Sequence, residues 1–407
     1  MKKYGLLGKK LSHSISPRIH SEFGAYAYEL FCCEENELDS FFCNEKIDGF
    51  NVTIPYKKEA FKRCDFLSEI AGKTGSVNTV VRKNGKLYGY NTDVFGFEFS
   101  AKKNGLIFEN KKVLILGNGG ATLSVKYVAE KNNAKEIVII SRSGENNYEN
   151  IGRHSDAQII INATPFGMYP DNGGKLIDLS QFNNVEFVYD LIYNPLKTQL
   201  LIDAEKLNIP NCNGLMMLVS QAFKTAEIFE EKSFDFSLND RIYKQILNER
   251  KNIVIIGMPG CGKTTIGKIL AEKLNRNFID TDEEIIKNCG RKIPEIFEEK
   301  GEEFFRNIET EIIKKAGKLF GKIIATGGGS ILREENRNAL VQNSVVVLLK
   351  RDLSETNLSG RPLLKNKNDV GKLYNERKNI YENFAEITVE NKDIDSTVRR
   401  IIECVFL

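Results

Sequence analysis

Apolar and polar positions alternate in blocks along the chain. Ile253 to Ile256 is a β-branched run that breaks at Gly257 and resumes as the amphipathic stretch I-G-K-I-L-A-E-K-L, which predicts strand, loop and helix in that order. Comparable apolar runs occur at K-V-L-I-L from Lys112, E-I-V-I-I from Glu136, Gln158 to Ala163, Val185 to Asp190 and S-V-V-V-L-L from Ser344. Continuous apolar strands alternating with helices predict α/β domains on mostly parallel sheets. Nearer the N-terminus the pattern differs. Tyr4 to Gly8 predicts a short strand, D-G-F-N-V-T-I-P-Y-K-K-E-A-F a strand running through Pro55 into a helix, and Lys83 to Lys86 the tip of a hairpin.

Phe234 to Arg250 is polar and charged without a glycine run, which predicts a short helical connection and a boundary near Asn248 to Asn252. The predicted layout is a catalytic domain over 1–100 with 213–248, a nucleotide domain over 101–212, and a second enzyme over 251–407. With 407 residues, 41% hydrophobic and 28% charged, each part has enough apolar chain for its own core. A net charge of +3 spread over 58 basic and 55 acidic side chains leaves no basic stripe for nucleic acid. Eight cysteines without C-x-x-C, and three histidines not spaced as ligands, predict free thiols in a reducing compartment. No run approaches the roughly 18 apolar residues of a spanning helix, so a cytoplasmic chain without membrane contact is expected. Monomer and homodimer both remain open.

The chemistry is concentrated at strand ends. Gly257 to Thr265 reads G-M-P-G-C-G-K-T-T, a G-x-x-x-x-G-K-T motif containing Cys261 and Thr265. Gly257, Gly260 and Gly262 let backbone N–H groups turn towards a polyphosphate at a helix N-terminus. Lys263 adds a point charge, and Thr264 offers a hydroxyl to Mg²⁺. Asp280 and Asp282 lie two apart and share a side if the chain stays extended. One suits the Mg²⁺ shell and the other an acceptor hydroxyl. Arg306 and Glu309 sit i,i+3 on a helix, usually a salt-bridged surface, while Gly327, Gly328 and Gly329 at a strand end expose N–H groups and admit a close ligand. Arg361 belongs to a polar segment able to close over phosphates, and Arg377 and Tyr381 lie on a late helix.

In the first half, Ser14 and Ser16 either grip a carboxylate or serve as loop filler and helix cap before Pro17. Lys57 falls in a first helical turn, where a cation is locally unfavourable, and Asp93 is a candidate ion-pair partner. Gly117, Gly119 and Gly120 open a βαβ unit, but Thr122 replaces the last glycine of G-x-G-x-x-G. Arg142, between Ser141 and Ser143 at the end of the second strand, favours the 2′-phosphate of NADP over NAD. Asn162 and Thr164 follow a later strand, Gly214 allows a flat cofactor ring to approach, and Met217 and Gln221 begin a helix whose apolar residues are core by default.

The residues S-H-S-I-S-P, N-V-T-I-P-Y-K, G-S-V-N-T, N-T-D, G-N-G-G-A, N-A-T-P-F-G-M and N-G-L-M-M-L-V-S-Q-A resemble shikimate dehydrogenase. The later G-M-P-G-C-G-K-T-T, D-T-D, F-R-N-I-E, T-G-G-G and R-P-L-L resemble shikimate kinase. The implied fold is an α/β substrate domain plus a Rossmann-like NADP domain, followed by a P-loop NMP-kinase-like parallel α/β domain. The implied functions are NADP(H)-dependent reduction of 3-dehydroshikimate and ATP/Mg²⁺-dependent phosphorylation of shikimate. The dehydrogenase resemblance makes Lys57 and Asp93 catalytic, with Ser14, Ser16, Thr53, Asn78, Tyr193 and Gln221 around the substrate. It places Gly117, Asn118, Gly119, Gly120, Ala121, Ser141, Arg142, Ser143, Asn162, Thr164, Gly214 and Met217 around the cofactor. The kinase resemblance puts Asp282, Arg306, Arg377 and Gly327 to Gly329 around shikimate, Thr264 and Asp280 on Mg²⁺, Lys263 on the transferring phosphate, and Arg361 in a lid.

Three positions depart from these families. Ser141-Arg142-Ser143 replaces Asn-Arg-Thr, the segment from Lys350 to Gly360 is short and lacks the arginine expected on adenine, and Asn379 replaces proline. A quinate or broader polyol dehydrogenase fits the same first-half residues, since one ring hydroxyl separates the substrates. A ligand-sensing regulator made from degenerate enzyme domains is the third reading.

Overall fold

The computed structural model describes residues 2–12, 14–24, 26–351 and 367–406, with 367–370 described for the backbone alone. Arg361 and the R-P-L-L motif therefore lie outside the described residues. The chain divides into two compact units, Met1–Ile246 and Leu247–Leu407.

The first unit holds two sheets. Strands β1 (Lys3–Gly8), β2 (Ala27–Cys32), β3 (Gly49–Val52), β4 (Phe66–Leu67), β5 (Thr79–Lys83) and β6 (Lys86–Tyr90) form a mixed sheet in the order β2-β1-β3-β5-β6-β4. The helices of this stretch are α1 (Ser16–His20), α2 (Leu38–Phe42), α3 (Lys57–Arg63), α4 (Glu69–Thr74) and α5 (Asp93–Lys103). The expected hairpin is β5-β6. Its two turn residues, Asn84 and Gly85, take φ of 51° and 74°, the left-handed pair that a two-residue hairpin loop requires and that Asn-Gly adopts most readily.

The second sheet of this unit comprises β7 (Lys112–Leu116), β8 (Glu136–Ile140), β9 (Ile159–Asn162), β10 (Phe187–Asp190) and β11 (Asn211–Cys212), in the order β11-β10-β9-β7-β8 and parallel throughout. It packs with α6 (Gly120–Lys131) and α7 (Gln199–Lys206), while α8 (Leu215–Glu230) packs on α5. The strand order reverses between β7 and β9, so the loops after these two strands face the crevice where open α/β sheets bind ligands. Val113, Ile115, Ile159 and Ile161 point to one apolar cluster and Leu114, Leu116 and Ile160 to another, which is why these strands are apolar at every position. Each such buried side chain contributes about 1.5–3 kcal/mol of transfer free energy.

The connection α9 (Ser237–Arg250) is helical as expected. The second unit is built on β12 (Asn252–Ile256), β13 (Phe278–Asp280), β14 (Ile323–Ala325), β15 (Ser344–Lys350) and β16 (Ile387–Glu390), all parallel, in the order β13-β14-β12-β15-β16. Its helices are α10 (Lys263–Lys273), α11 (Thr281–Cys289), α12 (Ile293–Gly317), α13 (Glu334–Val341), α14 (Lys367–Phe384) and α15 (Ile394–Phe406). Strand β12 is central and wholly buried, which fixes the phosphate loop to the stiffest part of the sheet. Helix α12 kinks at Gly301, whose φ of 82° is outside the helical region. No helix among the described residues is long and apolar enough to cross a membrane.

Candidate functional site

In the first unit, Lys57 and Asp93 open helices α3 and α5 and meet as a 2.5 Å ion pair with side-chain exposures of 13% and 9%. A cation at a helix N-terminus is disfavoured and an anion favoured, so Asp93 offsets the cost that α3 imposes on Lys57. Asn78 Nδ2 donates to Asp93 Oδ1 at 2.9 Å and to Thr92 Oγ1 at 3.0 Å, and Thr92 Oγ1 donates to Gln221 Oε1 at 3.3 Å. Behind them lies a closed triangle of buried hydroxyls, Thr79, Thr92 and Thr225, with edges of 3.0–3.2 Å. Asn51 Nδ2 donates to Thr79 and Thr225, and Tyr28 donates to Asn51 Oδ1 at 2.7 Å. One polar network therefore runs from Tyr28 through Asn51, the threonines and Asn78 to Asp93 and Lys57.

The two serines differ from the cap expected. Helix α1 begins at Ser16 after a cap residue, Ile15, that makes no side-chain cap bond. Ser14 Oγ accepts from Ser16 N at 3.3 Å and donates to Ser16 Oγ at 3.2 Å. The capping oxygen thus comes from Ser14, and Ser16 turns its hydroxyl inward. Thr53 continues from β3 with its N–H on Leu7 O and its methyl close to Gly8, and Tyr193 is half-buried beyond β10.

The dinucleotide loop reaches this pair. A side chain at Gly120 would meet Lys57 at 3.3 Å, so the glycine lets the loop lie against the lysine. Gly117, at φ 103°, donates its N–H to Ile140 O, and Thr122 Oγ1 returns a bond to Gly117 O at 2.9 Å. The hydroxyl in the departing motif position closes the turn internally. Gly119 is the cap residue of α6, with open space where its side chain would be, and Asn118 and Ala121 flank the turn. A dinucleotide phosphate fits this concave helix start, and Arg142 and Ser143 are exposed at the end of β8 while Ser141 is buried.

Three cofactor candidates have other physical reasons. Asn162 is buried, its amide bonded to Asp190 Oδ1 and its carbonyl oxygen receiving Thr164 N and Oγ1, so it shapes the loop that presents Thr164. Asp190 is buried without a cation, and desolvation pushes its pKa up to about 6 against the pull of Thr198, Ile192 and Asn162. At Gly214 the close neighbour is the Leu191 carbonyl, which a Cβ would strike at 1.9 Å, rather than open space for a ring. Met217 is core, packed with Val94 and Phe97.

In the second unit, Gly260, Gly262, Lys263, Thr264, Thr265, Asp280, Asp282, Arg306, Gly327 to Gly329 and Arg377 line one cavity of about 420 Å³. Gly257, Gly260 and Gly262 all have positive φ, 144°, 86° and 100°. Cys261 turns its side chain into the core, and Asn391 Nδ2 holds its carbonyl at 2.8 Å. Lys263 Nζ donates to Gly257 O at 2.8 Å and Met258 O at 2.9 Å. Thr264 Oγ1 donates to Asp280 Oδ2 at 2.7 Å, a hydroxyl and a carboxylate converging as the hard oxygen donors that Mg²⁺ takes. Mg²⁺ commonly uses one or two carboxylates beside phosphates and water, so this donor set fits it.

Asp280 and Asp282 do not share an extended segment. Helix α11 starts at Thr281, and Asp280 caps it, accepting from Asp282 N and Glu283 N. Asp282 faces the cavity instead, where desolvation first, then Asp280 and Glu309, push its pKa up to about 6 while Lys263 and Arg306 oppose. Arg306 and Glu309 are buried, not surface: Nη1 meets Oε2 at 2.8 Å, with side-chain exposures of 9% and 1%. Ser330 donates to the other oxygen of Glu309 at 2.7 Å.

The three glycines serve the site's own residues more than an open surface. A side chain at Gly327 would meet Asp282 at 2.6 Å, at Gly328 Pro259 at 2.7 Å, and at Gly329 the Arg306 guanidinium at 2.5 Å. Gly327 N already donates to Thr281 Oγ1, so its N–H is not free for a ligand. Arg377 Nη1 donates to Gly328 O at 3.0 Å.

A larger cavity, about 650 Å³, opens between the ends of β15 and β16 and helix α14, lined among others by Asn391, Lys392 and Tyr374; Arg351 lines both cavities. The motifs missed this cavity and Thr225, the third member of the triangle whose other two, Thr79 and Thr92, lie in G-S-V-N-T and N-T-D. Thr225 stands one turn after Gln221 on α8, and that i,i+4 spacing is the signal that could have found it.

A family model for shikimate kinase matches residues 259–406, and one for the shikimate dehydrogenase substrate binding domain matches residues 6–80. The chain is 37% identical over 271 residues to a shikimate dehydrogenase (NADP(+)) of Clostridium beijerinckii, covering 62% of this chain and 100% of that one. Shikimate dehydrogenase 1 from Peptoclostridium difficile, a solved structure, is 35% identical with a TM-score of 0.58, over 60% of this chain and 98% of its own. A chorismate mutase/shikimate 5-dehydrogenase fusion protein from Clostridium acetobutylicum is 34% identical with a TM-score of 0.57, over 60% and 97%. The chain belongs to the shikimate dehydrogenase family and carries a shikimate kinase domain after it on the same polypeptide.

Proposed function

We propose that the chain is a bifunctional shikimate-pathway enzyme. Its first unit reduces 3-dehydroshikimate to shikimate with NADPH, and its second phosphorylates the shikimate 3-hydroxyl with ATP and Mg²⁺. The observation that carries this reading is that each unit gathers the groups its own half of the chemistry needs. Lys57 and Asp93 lie against the Gly120 loop in one, and the phosphate loop shares a cavity with Asp282, Arg306 and Arg377 in the other.

In the first unit, bound NADPH supplies the hydride. Lys57 donates an N–H to the ketone oxygen as negative charge grows there, then yields the proton to the alkoxide. Asp93, itself held by Asn78, keeps the Lys57 amine aimed at the substrate. Ser14, Ser16, Thr53, Asn78, Tyr193 and Gln221 hold the substrate's carboxylate and hydroxyls. Arg142 pairs with the 2′-phosphate of the cofactor.

In the second unit, Thr264 and Asp280 would hold Mg²⁺, which would supply positive charge to the phosphates. Arg306 and Arg377 pair with the shikimate carboxylate, and Asp282 orients the 3-hydroxyl and takes its proton, a task that a carboxylate pKa near 6 suits. Lys263 and the loop N–H groups stabilise the transferring phosphoryl group. The larger cavity beside Asn391 and Lys392 would receive the nucleoside end of ATP. Arg361 acts as a lid residue, outside the described residues. All eight cysteines are free thiols, which suits a cytoplasmic enzyme.

The cofactor assignment is tested with Arg142→Ala. The KM for NADPH is expected to rise about tenfold or more while the KM for NADH stays within about twofold. Equal changes for both cofactors in steady-state assays would remove Arg142 from the 2′-phosphate site.

A further inference from the structure

One hydroxyl of the second unit faces both loops that phosphoryl transfer must align. Tyr381, on α14, is 2% exposed, and its oxygen lies 2.5 Å from Gly328 O and 3.2 Å from Gly257 O. A phenol carries one proton, so it donates to one carbonyl at a time. Each carbonyl has another donor, Lys263 Nζ on Gly257 O and Arg377 Nη1 on Gly328 O. With Lys263 folded back on its own loop, Gly257 O is already satisfied, and the tyrosine proton goes to the nearer Gly328 O.

We propose that Tyr381 is a positioning residue that couples the nucleotide and acceptor ends of the kinase site through its choice between these carbonyls. A phosphate in the loop draws Lys263 Nζ away from Gly257 O. A buried carbonyl stripped of its donor is costly, so the Tyr381 proton turns to it by rotation about the C–O bond. Gly328 O, which shared its lone pairs between Tyr381 and Arg377, is then left to Arg377 alone, which tightens that bond and fixes the guanidinium at the acceptor end before the acceptor arrives. The ring itself packs with Val346 and Leu348 in the core, so ring and hydroxyl have separable roles. This inference rests on the kinase reading of the second unit.

The test is calorimetric titration of shikimate into the full chain with and without ADP–Mg²⁺. In the wild type, ADP–Mg²⁺ is expected to tighten shikimate binding at least about fivefold. In Tyr381→Phe, binding without nucleotide should stay within about twofold of the wild type and the tightening should vanish. A tyrosine that only filled space would leave the tightening intact in the phenylalanine variant, and that result overturns the proposal. A second measurement needs no variant: hydrogen exchange of residues 326–330 in the wild type should slow on adding ADP–Mg²⁺ alone. Unchanged exchange contradicts the coupling even if Tyr381→Phe does not fold. A wild-type chain that makes ADP from ATP and shikimate yet shows no tightening defeats the coupling alone, whereas one that makes no ADP defeats the kinase reading beneath it.

Discussion

Lys57→Ala is expected to lower kcat/KM for NADPH-dependent reduction of 3-dehydroshikimate by about 10³-fold or more and to leave ADP formation with shikimate at the wild-type rate. The size follows from two losses at one atom, the proton donor and the positive charge facing the developing alkoxide, each of which alone is worth about 10²-fold or more. The substitution also strands Asp93, a mostly buried carboxylate that keeps Asn78 as a donor but loses its cation. A thermal unfolding scan on the same protein therefore separates lost chemistry from lost fold. Reduction within tenfold of the wild type in a folded variant would mean that Lys57 does not supply the proton.

Lys263→Ala should do the converse, reducing ADP formation by about 10³-fold or more with no change in NADPH oxidation. Lys263 is 8% exposed and its ammonium lies over Gly257 O and Met258 O, poised to leave its own loop for an incoming phosphate. Its removal leaves Met258 O short of a donor, at a cost of about 1–3 kcal/mol where no water replaces it, and leaves Gly257 O to the Tyr381 hydroxyl. ADP binding to the variant, measured directly, shows whether the loop still forms. A variant that binds ADP and still turns over shikimate at the wild-type rate would place phosphoryl transfer elsewhere.

The parts of these sites that sequence revealed are those where chemistry is local. The phosphate loop, the Asn84-Gly85 hairpin and the β7 turn at Gly117 are each written in consecutive residues whose φ values depend on their own identities. What stayed hidden depends on residues far apart in the chain. Thr79 and Thr225 are 146 positions apart and meet only because β5 and α8 are adjacent in the fold. Periodicity cannot tell a buried ion pair from a surface one, so Arg306 and Glu309 read as surface until α12 packs them beside the Gly327 turn. The Asp280–Asp282 spacing misled because it was read as strand, whereas Asp280 is itself the cap that starts α11. The residues suggested Lys57 and Asp93 as an ion pair and the resemblance placed Asn78 around the substrate, but neither gave the bonds by which Asn78 and the threonines hold that pair.

The central claim, two consecutive reactions on one chain, is tested most directly by giving the purified wild-type protein 3-dehydroshikimate, NADPH, ATP and Mg²⁺ in a single vessel and following NADPH, ADP and product mass together. The account predicts equal amounts of NADPH oxidised and ADP formed at completion, with shikimate 3-phosphate as the product. Shikimate accumulating without ADP, or no consumption of NADPH at all, would contradict it.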